Sequence, residues 1–514
     1  MINQRITKLR QLMKERGIDL YIIPTSDFHQ SEYVGSYFEA RHYMSGFSGS
    51  AGTLIVRQDE AYLWTDGRYF IQAEKELAGS CIQLMKMRTP GVPTIKEYIE
   101  KYPEAIIGFD GRTMPYNQCL FTNTIQANED LVDLIWQERP ELSHEEVYLY
   151  DTNGKKYLDF YSGIGVNSFG YDYQLYTDAM CQQMHRLMHI SNYFNSVETI
   201  EAAEAVIKAT QLDQVFFTNS GTEATEGALK LARKYYYEKH GKADSEIISL
   251  NHSFHGRSTG AVTLTGTPAY QTAFGPLITG VKYGDINDLD SVAKLITPRT
   301  AAIILEPVQG EGGIHVCTQE FMKGIRQLCD KHEIVMILDE VQCGMGRTGT
   351  IMTYFQYGIM PDIVCLAKGI GAGFPMGAFV ANKKIGDALK PGDHGSTYGG
   401  NPMAGKACKT VFKILEETQM LDHVQDVSEY LITKLDELVE KYDFIKERRG
   451  LGLMLGLEFD HPVKPYIQKA LDKGLVLITA GTNVIRMLPP FIIEEKDVDE
   501  MISIFTEVID EINS

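Results

Sequence analysis

IVMILDE at residues 334–340 and IVCLAKG at residues 363–369 are short apolar runs that each end in a charged group. Runs of the same kind occur at four other places along the chain: residues 214–217, 246–250, 301–305 and 378–381. Helical patterns lie between most of them. Buried strands that alternate with helices are typical of a mostly parallel sheet covered by helices on both faces. The sequence therefore predicts an α/β fold from about residue 150 onward.

Polar groups follow four of these runs at their carboxyl ends, which is where open α/β sheets bind ligands. Residues 219–222, Asn-Ser-Gly-Thr, open a helix, and the free N–H groups of a helix N-terminus suit a phosphate. Glu306, Asp339 and Lys368 end the other three runs. Each group alone is more often an ordinary helix cap or a solvated strand end. Because all four occur together, we expect them to converge on one edge of the sheet.

These groups match the needs of pyridoxal phosphate. A lysine forms a Schiff base with its aldehyde, and a carboxylate keeps the pyridine nitrogen protonated so that the ring acts as an electron sink. Phe254, in the stretch SFHGR, is a candidate for contact with one face of the ring, and Val341 for the other. The sequence therefore predicts a pyridoxal-phosphate enzyme in which Lys368 is the reactive amine.

The composition excludes several other classes of protein. The 514 residues contain 68 Asp and Glu against 49 Lys and Arg, and the net charge of −19 disfavours binding to nucleic acid. No apolar run approaches the roughly 18 residues of a membrane span, and residues 1–17 form an amphipathic helix pattern rather than a signal peptide. The eight cysteines include no CxxC pair, so neither a disulfide framework nor a metal site is expected. We expect a cytoplasmic protein that binds neither nucleic acid nor a membrane.

Eight stretches carry a resemblance to a known family. They read LYDTNGKKYLDFYSGIGV, FFTNSGTEATEGALKLAR, SFHGR, EPVQGEGG, ILDEVQCGMGRTG, PDIVCLAKGIGAGFPMGA, HGSTYGGNP and VIRMLPP. Residues from about 148 to 510 resemble a class III aminotransferase of fold type I, and the acetylornithine branch in particular. The resemblance implies a large cofactor-binding domain at residues 146–410 and a small α+β domain at residues 411–514.

The resemblance also implies roles for particular residues. Lys368 resembles the Schiff-base lysine, Asp339 the partner of the pyridine nitrogen and Gln342 the group near the phenolic oxygen. The remaining cofactor-binding residues implied by the resemblance are Ser220, Gly221 and Thr222 at the phosphate, and Phe254, His255 and Val341 around the ring. Thr397, in STYGG, resembles a threonine that reaches the phosphate of the partner subunit, which implies a homodimer with shared sites.

The substrates follow from the same resemblance. It implies transfer of the terminal amino group of N-acetylornithine to 2-oxoglutarate, giving N-acetylglutamate 5-semialdehyde and glutamate, a ping-pong reaction of arginine biosynthesis. Arg257 and Arg486 resemble the arginines that bind substrate carboxylates, a task that suits a planar guanidinium. Glu226 resembles the acidic residue that holds the second arginine aside while the amino donor is bound.

Residues 1–145 have a different resemblance. The stretches TSDFHQSEYVGSYFEARHYMSGFSGSAGTLIV, AYLWTDGRYFIQAEKEL and DLVDLIWQERPELS are similar to the N-terminal domain of aminopeptidase P and the creatinase–prolidase group. In such enzymes the metal-binding residues belong to a later domain, which this chain replaces with the aminotransferase. We therefore expect structural roles for its charged and histidine residues, namely Asp27, His29, His42, Asp66 and Arg68, and no peptidase activity.

Two departures from the aminotransferase pattern keep alternatives open. The arm that usually precedes LYDTNGKKYLDF is replaced by a charged linker, predicted to follow a helix within residues 128–146, and Tyr171 stands where the family commonly has a histidine. One alternative is another ω-aminotransferase, acting on ornithine, 4-aminobutyrate or a succinylated amine. The other is a fusion that folds and dimerises without turnover. The GxGxxG match at residues 344–349 does not directly follow a strand, so a dinucleotide site is not expected.

Overall fold

The computed structural model describes residues 2–26, 38–110, 113, 124–127, 131–136, 147–151 and 154–513, with the backbone alone at 124–127. The chain forms two compact units, Met1–Ser143 and His144–Ser514. The predicted boundary at residue 145 lies close to this division. The predicted boundary at residue 410 falls inside a helix, Pro402–Glu417, and stays a prediction.

The first unit is a small α/β fold built on one sheet. Its strands, in chain order, are β1 (Leu20–Pro24), β2 (Thr53–Arg57), β3 (Ala61–Thr65), β4 (Gln83–Lys86), β5 (Ile107–Asp110) and β6 (Thr124–Ala127). Its helices are α1 (Ile2–Glu15), α2 (Ala40–Ser45), α3 (Phe70–Glu76) and α4 (Ile95–Ile99). The sheet order is β4-β3-β2-β1-β5-β6. Ile6, Leu9 and Met13 recur at helical spacing on α1 and are buried, as their pattern predicts.

Some expectations for this unit lie outside the described residues. These are Asp27 and His29, together with most of the segment 128–146, in which a helix is predicted. The described part of that segment is residues 131–136, of which residues 131–135 form turns. Asp66 and Arg68 pair with each other at 2.9 Å, and His42 lies 3.7 Å from Glu39. In the described part of the chain, no group of three or more His, Cys, Asp or Glu residues could hold a metal ion.

The second unit is built around a seven-stranded sheet. Its strands are β9 (Gln214–Thr218), β10 (Glu246–Leu250), β11 (Val281–Gly284), β12 (Thr300–Leu305), β15 (Val335–Asp339), β16 (Ile363–Ala367) and β17 (Gly377–Ala381), in the order β11-β10-β12-β15-β16-β17-β9. Only β17 runs against the others. All six predicted strands are confirmed, whereas β11 was not predicted. Apolar residues fill both faces of the central strands, because helices cover the two sides.

Smaller sheets complete the second unit: β7 (Tyr148–Tyr150) and β8 (Lys156–Asp159) with β20 (Leu475–Val476); β13 (Val308–Gln309) with β14 (His315–Val316); and β18 (Ile445–Leu451), β19 (Met454–Phe459), β21 (Ile478–Ala480) and β22 (Val484–Met487). The helices are α5 (Ser162–Gly165), α6 (Gln174–Arg186), α7 (Val197–Thr210), α8 (Gly221–His240), α9 (Thr259–Leu264), α10 (Leu289–Ala293), α11 (Gln319–His332), α12 (Lys383–Gly386), α13 (Pro402–Glu417), α14 (Met420–Lys441), α15 (Lys464–Asp472) and α16 (Glu495–Asn513). None of the described helices is long and apolar enough to cross a membrane.

Candidate active site

A cavity of about 480 Å³ lies in the second unit, at the carboxyl ends of the strands of the seven-stranded sheet. The predicted site residues that line it are Ser220, Gly221, Thr222, Phe254, His255, Arg257, Asp339, Val341, Gln342 and Lys368. Glu226, Thr397 and Arg486 do not line it. Glu306 and Glu311 do, although neither is among the residues predicted from the family resemblance to bind cofactor or substrate. The four strand-end groups therefore line one cavity.

The N-terminus of α8 forms one end of the cavity. The Ser220 hydroxyl accepts a hydrogen bond from the Glu223 amide at 3.3 Å and so caps the helix. Gly221 approaches its neighbours closely, because a Cβ at this position would lie 2.9 Å from Val341 Cγ1. The Thr222 hydroxyl is 2.9 Å from that of Ser258. The 20-residue helix directs the amides of its first turn and the positive end of its dipole toward this end of the cavity, an arrangement that suits an anion.

Asp339 and His255 form a buried pair at the end of β15. The ring nitrogen Nδ1 of His255 donates to the Asp339 carboxylate at 2.7 Å, and both side chains are almost fully buried. Burial disfavours the charged imidazole, but the hydrogen bond and charge of Asp339 outweigh it and raise the pKa of His255. The second oxygen of Asp339 accepts from the Val341 amide at 3.0 Å. The pair therefore places a carboxylate held by two hydrogen bonds at the cavity wall.

Lys368 follows β16 directly and faces the same cavity. Its backbone adopts φ of +50°, a left-handed conformation that is unfavourable for a side chain and is often retained at functional sites. Burial lowers the pKa of the lysine amine; Glu311 opposes this effect and Arg486 reinforces it. A lowered pKa increases the fraction of neutral amine, which is the form that acts as nucleophile or base.

Glu306 is a buried carboxylate at the end of β12. It accepts hydrogen bonds from the backbone amides of Phe254 at 2.9 Å and Gly310 at 3.2 Å. Burial raises its pKa. These two bonds join the stretch SFHGR to the loop EPVQGEGG, so Glu306 fixes two walls of the cavity relative to each other.

Arg486, on β22, is fully buried and bound to Glu311. Its guanidinium donates to the two carboxylate oxygens of Glu311 at 2.7 and 3.2 Å, and to Gln342 Oε1 at 3.1 Å. Burial opposes ionisation of Glu311, but the charge and hydrogen bonds of Arg486, together with the charge of Lys368, outweigh it and lower the pKa of Glu311. The arginine therefore lies behind the cavity lining and holds two of its residues, Glu311 and Gln342, while the Glu311 carboxylate occupies its hydrogen-bonding edge.

The predicted pairing of Arg486 with Glu226 does not occur. The Glu226 carboxylate accepts instead from the Ser258 hydroxyl at 2.5 Å and from the amides of Gly260 and Ala261 at 2.8 and 3.2 Å. It satisfies the first turn of α9, and orphan amides at a helix start stabilise such a carboxylate. The observed partner, Glu311, stands in the quoted stretch EPVQGEGG, as the second of its two acidic residues.

Comparison with known proteins extends these observations. The family model for aminotransferase class-III matches residues 141–509, and the model for the creatinase/prolidase N-terminal domain matches residues 5–135. The chain belongs to the class III aminotransferases. Membership implies pyridoxal phosphate as the cofactor of the second unit, in which the strand-end lysine, carboxylate and helix N-terminus converge.

Individual relatives of this class III aminotransferase carry related names. The acetylornithine aminotransferase of Methanocaldococcus jannaschii is 46% identical over 71% of this chain and 92% of its own length. The solved N-acetylornithine aminotransferase of Stenotrophomonas maltophilia has a TM-score of 0.63 at 30% identity, covering 74% of this chain and 99% of that one. The solved ornithine aminotransferase of Toxoplasma gondii has a TM-score of 0.69 at 31% identity, covering 71% and 90%.

Proposed function

We propose that this class III aminotransferase transfers the terminal amino group of N-acetylornithine to 2-oxoglutarate with pyridoxal phosphate, as a cytoplasmic enzyme of arginine biosynthesis. The observation that carries the proposal is the convergence of Lys368, the Asp339–His255 pair and the α8 N-terminus on one cavity. The names of the relatives support the choice of N-acetylornithine as donor. The products are N-acetylglutamate 5-semialdehyde and glutamate.

The residues of the cavity fit the cofactor group by group. Ser220, Gly221 and Thr222 supply hydroxyls and helix amides for a phosphate. Asp339 supplies a buried carboxylate for the ring nitrogen, and His255 holds that carboxylate in place through its hydrogen bond. Lys368 supplies the amine. In this proposal Phe254 and Val341 contact the two faces of the ring, and Gln342 lies near its phenolic oxygen.

When bound, pyridoxal phosphate supplies an electron sink for the carbon that bears the amino group. The chain would supply the proton transfer: in the donor half-reaction the Nζ atom of Lys368 would take the proton from that carbon and deliver it to the cofactor, and in the acceptor half-reaction it would move a proton in the opposite direction. Its lowered pKa favours the neutral amine needed for the first of these steps. The Asp339 carboxylate would stabilise positive charge at the ring nitrogen.

The two arginines suit the two substrates. N-acetylornithine presents one carboxylate, and Arg257 is the exposed guanidinium at the cavity. 2-Oxoglutarate presents two carboxylates, so it requires a second cation. We propose that Arg486 binds the α-carboxylate of 2-oxoglutarate after it leaves Glu311, and that Glu311 covers Arg486 while the donor is bound. Exchange of one carboxylate for another keeps the buried guanidinium paired throughout.

We also propose a homodimer. We propose that one apolar patch is formed by exposed large side chains near the C-terminal end of α6 and after it, Met184, Met188, Tyr193, Phe194 and Val197, together with Tyr398, whose ring lies 5.2 Å from that of His189. The Asn192 side chain donates to the carbonyl oxygens of Ser396 at 2.9 Å and Gly399 at 3.2 Å, so it holds Thr397 at the edge of this patch. Large exposed apolar patches mark interaction surfaces. In a dimer formed through the patch, the Thr397 hydroxyl would bind the phosphate in the site of the second copy.

Absorbance and substrate kinetics test the proposal. The purified protein with added pyridoxal phosphate should show a visible absorption band, and Lys368→Ala should lose it. N-acetylornithine should bleach the band in a single turnover, and 2-oxoglutarate should restore it. A protein that binds the cofactor but gives no bleaching with any amino donor would instead be a non-catalytic scaffold.

A second candidate function is another ω-aminotransferase, because the solved ornithine aminotransferase of Toxoplasma gondii is also structurally similar to this chain. A comparison of kcat/KM for N-acetylornithine, ornithine, 4-aminobutyrate and N-succinylornithine decides between them. The proposal requires the highest value for N-acetylornithine.

A further inference from the structure

Arg257 is an exposed cation at the cavity that is held by aromatic rings. Its guanidinium carbon lies 4.0 Å from the ring centre of Tyr270 and 5.3 Å from that of Phe254. Both distances are within the roughly 6 Å over which an aromatic face attracts a cation. The ion pairs found among the described residues do not include Arg257, in contrast to Arg486, which is bound by Glu311. A carboxylate therefore occupies the N–H groups of Arg486, whereas Arg257 is held through the face of its guanidinium by aromatic rings.

Tyr270 has a fixed position although it lies outside the regular helices and strands. It ends a short 3₁₀ turn, Pro268–Tyr270, and its amide donates to the Thr267 carbonyl oxygen at 3.0 Å. Its ring meets that of Phe254 edge-on, with the centroids 5.8 Å apart. The two aromatic rings and the guanidinium thus form one cluster of mutual contacts. Tyr270 itself does not line the cavity, so any effect on substrate must pass through the two lining residues that it contacts, Arg257 and Phe254.

The next residue, Gln271, anchors this turn to the body of the second unit. Its side-chain nitrogen lies 2.7 Å from the Thr265 carbonyl oxygen and 2.9 Å from the hydroxyl of Tyr283, which is on β11. The Tyr283 hydroxyl in turn donates to the Thr263 carbonyl oxygen in α9 at 2.5 Å. Because α9 directly follows the stretch that carries Arg257, the turn and the arginine are attached to the same element.

We propose that Tyr270 is a specificity-determining positioning residue that holds Arg257 ready for a substrate carboxylate. An arginine side chain has many rotamers, and fixing one of them before the substrate arrives lowers the entropic cost of binding. An aromatic face achieves this while the N–H edges stay free for a bidentate carboxylate contact. A carboxylate in place of Tyr270 would compete with the substrate, as Glu311 does at Arg486.

This inference rests on the proposed function, because it assumes that Arg257 binds the carboxylate of the donor. The test compares N-acetylornithine with N-acetylputrescine, which has the same chain, amine and acetamide but no carboxylate. The donor half-reaction of the holoenzyme is followed by single-turnover absorbance in the wild type, Tyr270→Leu and Tyr270→Phe. Tyr270→Met, which has a long apolar side chain without an aromatic face, replaces the leucine variant if that variant does not fold.

In Tyr270→Leu, we expect the donor concentration for half-maximal rate to rise about five- to twentyfold for N-acetylornithine. The limiting rate of the half-reaction should stay at the wild-type value. N-acetylputrescine should react within about twofold of the wild-type rate, because only a carboxylate binds the positioned guanidinium. Tyr270→Phe, which keeps the ring, should behave as wild type. If Tyr270→Leu lost the same factor with both donors, or kept the wild-type preference for N-acetylornithine, the proposal would be overturned. The same holds if Tyr270→Phe lost as much activity with N-acetylornithine as Tyr270→Leu does.

Failure of the proposed function gives a different result. If the wild type does not react with N-acetylornithine but reacts with 4-aminobutyrate, the donor is wrong, and the same variants are compared on 4-aminobutyrate and propylamine. If Arg257→Ala retains the wild-type preference for the carboxylated donor, the assigned role of Arg257 is wrong. If Arg257→Ala loses that preference while Tyr270→Leu keeps it, the inference about Tyr270 alone is wrong.

Discussion

Arg257 and Arg486 carry the same charge but have different neighbours, and this difference predicts different losses in the two half-reactions. Arg486→Ala should weaken the 2-oxoglutarate half-reaction about ten- to a hundredfold, the value of a charge-assisted contact, and largely spare the donor half-reaction. Arg257→Ala should damage both, because in the proposal it binds the donor carboxylate and the distal carboxylate of the acceptor. Single-turnover absorbance measured separately with donor and acceptor checks this. Equal losses in both half-reactions for Arg486→Ala would contradict it.

Glu311 gives a second prediction at the residue scale. Glu311→Gln removes the charge that pairs with Arg486, so Arg486 stays available while the donor is present. The carboxylate of N-acetylornithine should then bind Arg486 unproductively, and the donor half-reaction should slow about tenfold, while the 2-oxoglutarate half-reaction is maintained.

Glu226→Gln is the matched control for Glu311→Gln. It removes one carboxylate charge in the same unit, but from the start of α9 and without contact to Arg486. It should lower the melting temperature and leave the ratio of donor to acceptor rates unchanged. A shift of that ratio in Glu226→Gln, with none in Glu311→Gln, would restore the assignment made from the sequence.

At the scale of elements, the close approach of α8 to the loop after β15 predicts an effect of a single methyl group. In Gly221→Ala the new Cβ would meet Val341 at 2.9 Å, nearer than van der Waals contact allows. Overpacking of this kind costs about 1–3 kcal/mol, so we expect pyridoxal phosphate to bind about tenfold more weakly. Titration of the apoenzyme by absorbance measures the affinity.

Two further variants show whether the effect is local. Val341→Ala combined with Gly221→Ala removes the clash and should recover part of the affinity. Gly241→Ala changes the other end of the same helix, where φ is +66° and a Cβ would meet nothing within 4 Å. It should cost about 1 kcal/mol of stability without a change in affinity for the cofactor. Equal affinity losses in Gly221→Ala and Gly241→Ala would point to a general effect on α8.

The strand-end groups could be predicted from the sequence because apolar runs locate strands and topology brings their carboxyl ends together. The positions of Asp339 and Lys368 at strand ends follow from this pattern alone. The partner of Arg486 could not be obtained in this way, since it depends on how the loop after β12 folds back toward β22. Tyr270 was missed for a similar reason: its turn has no periodic pattern, and its contact with Arg257 exists only in three dimensions.

At the scale of the whole molecule, the exposed apolar patch predicts how two copies of the chain associate. Tyr193 and Phe194 are 94% and 65% exposed, an unfavourable arrangement for large side chains unless a partner covers them. A closed dimer made by the same patch on two copies would bury them. Because Thr397 lies beside the patch, loss of the dimer should also remove one hydroxyl from each phosphate site.

Charge placed within the patch should therefore affect assembly and cofactor binding together. Phe194→Glu combined with Val197→Glu should convert the dimer to a monomer in light scattering and weaken the binding of pyridoxal phosphate. Thr397→Val should keep the dimer and lose part of the affinity, about three- to tenfold for one hydrogen bond. Leu471→Glu, which places the same charge at a residue on α15 outside the patch, should change neither property. A monomeric wild type would contradict the assignment of this surface. A doubly charged variant that stays dimeric would also contradict it, because burying two glutamates without partners costs more free energy than such a dimer can sustain.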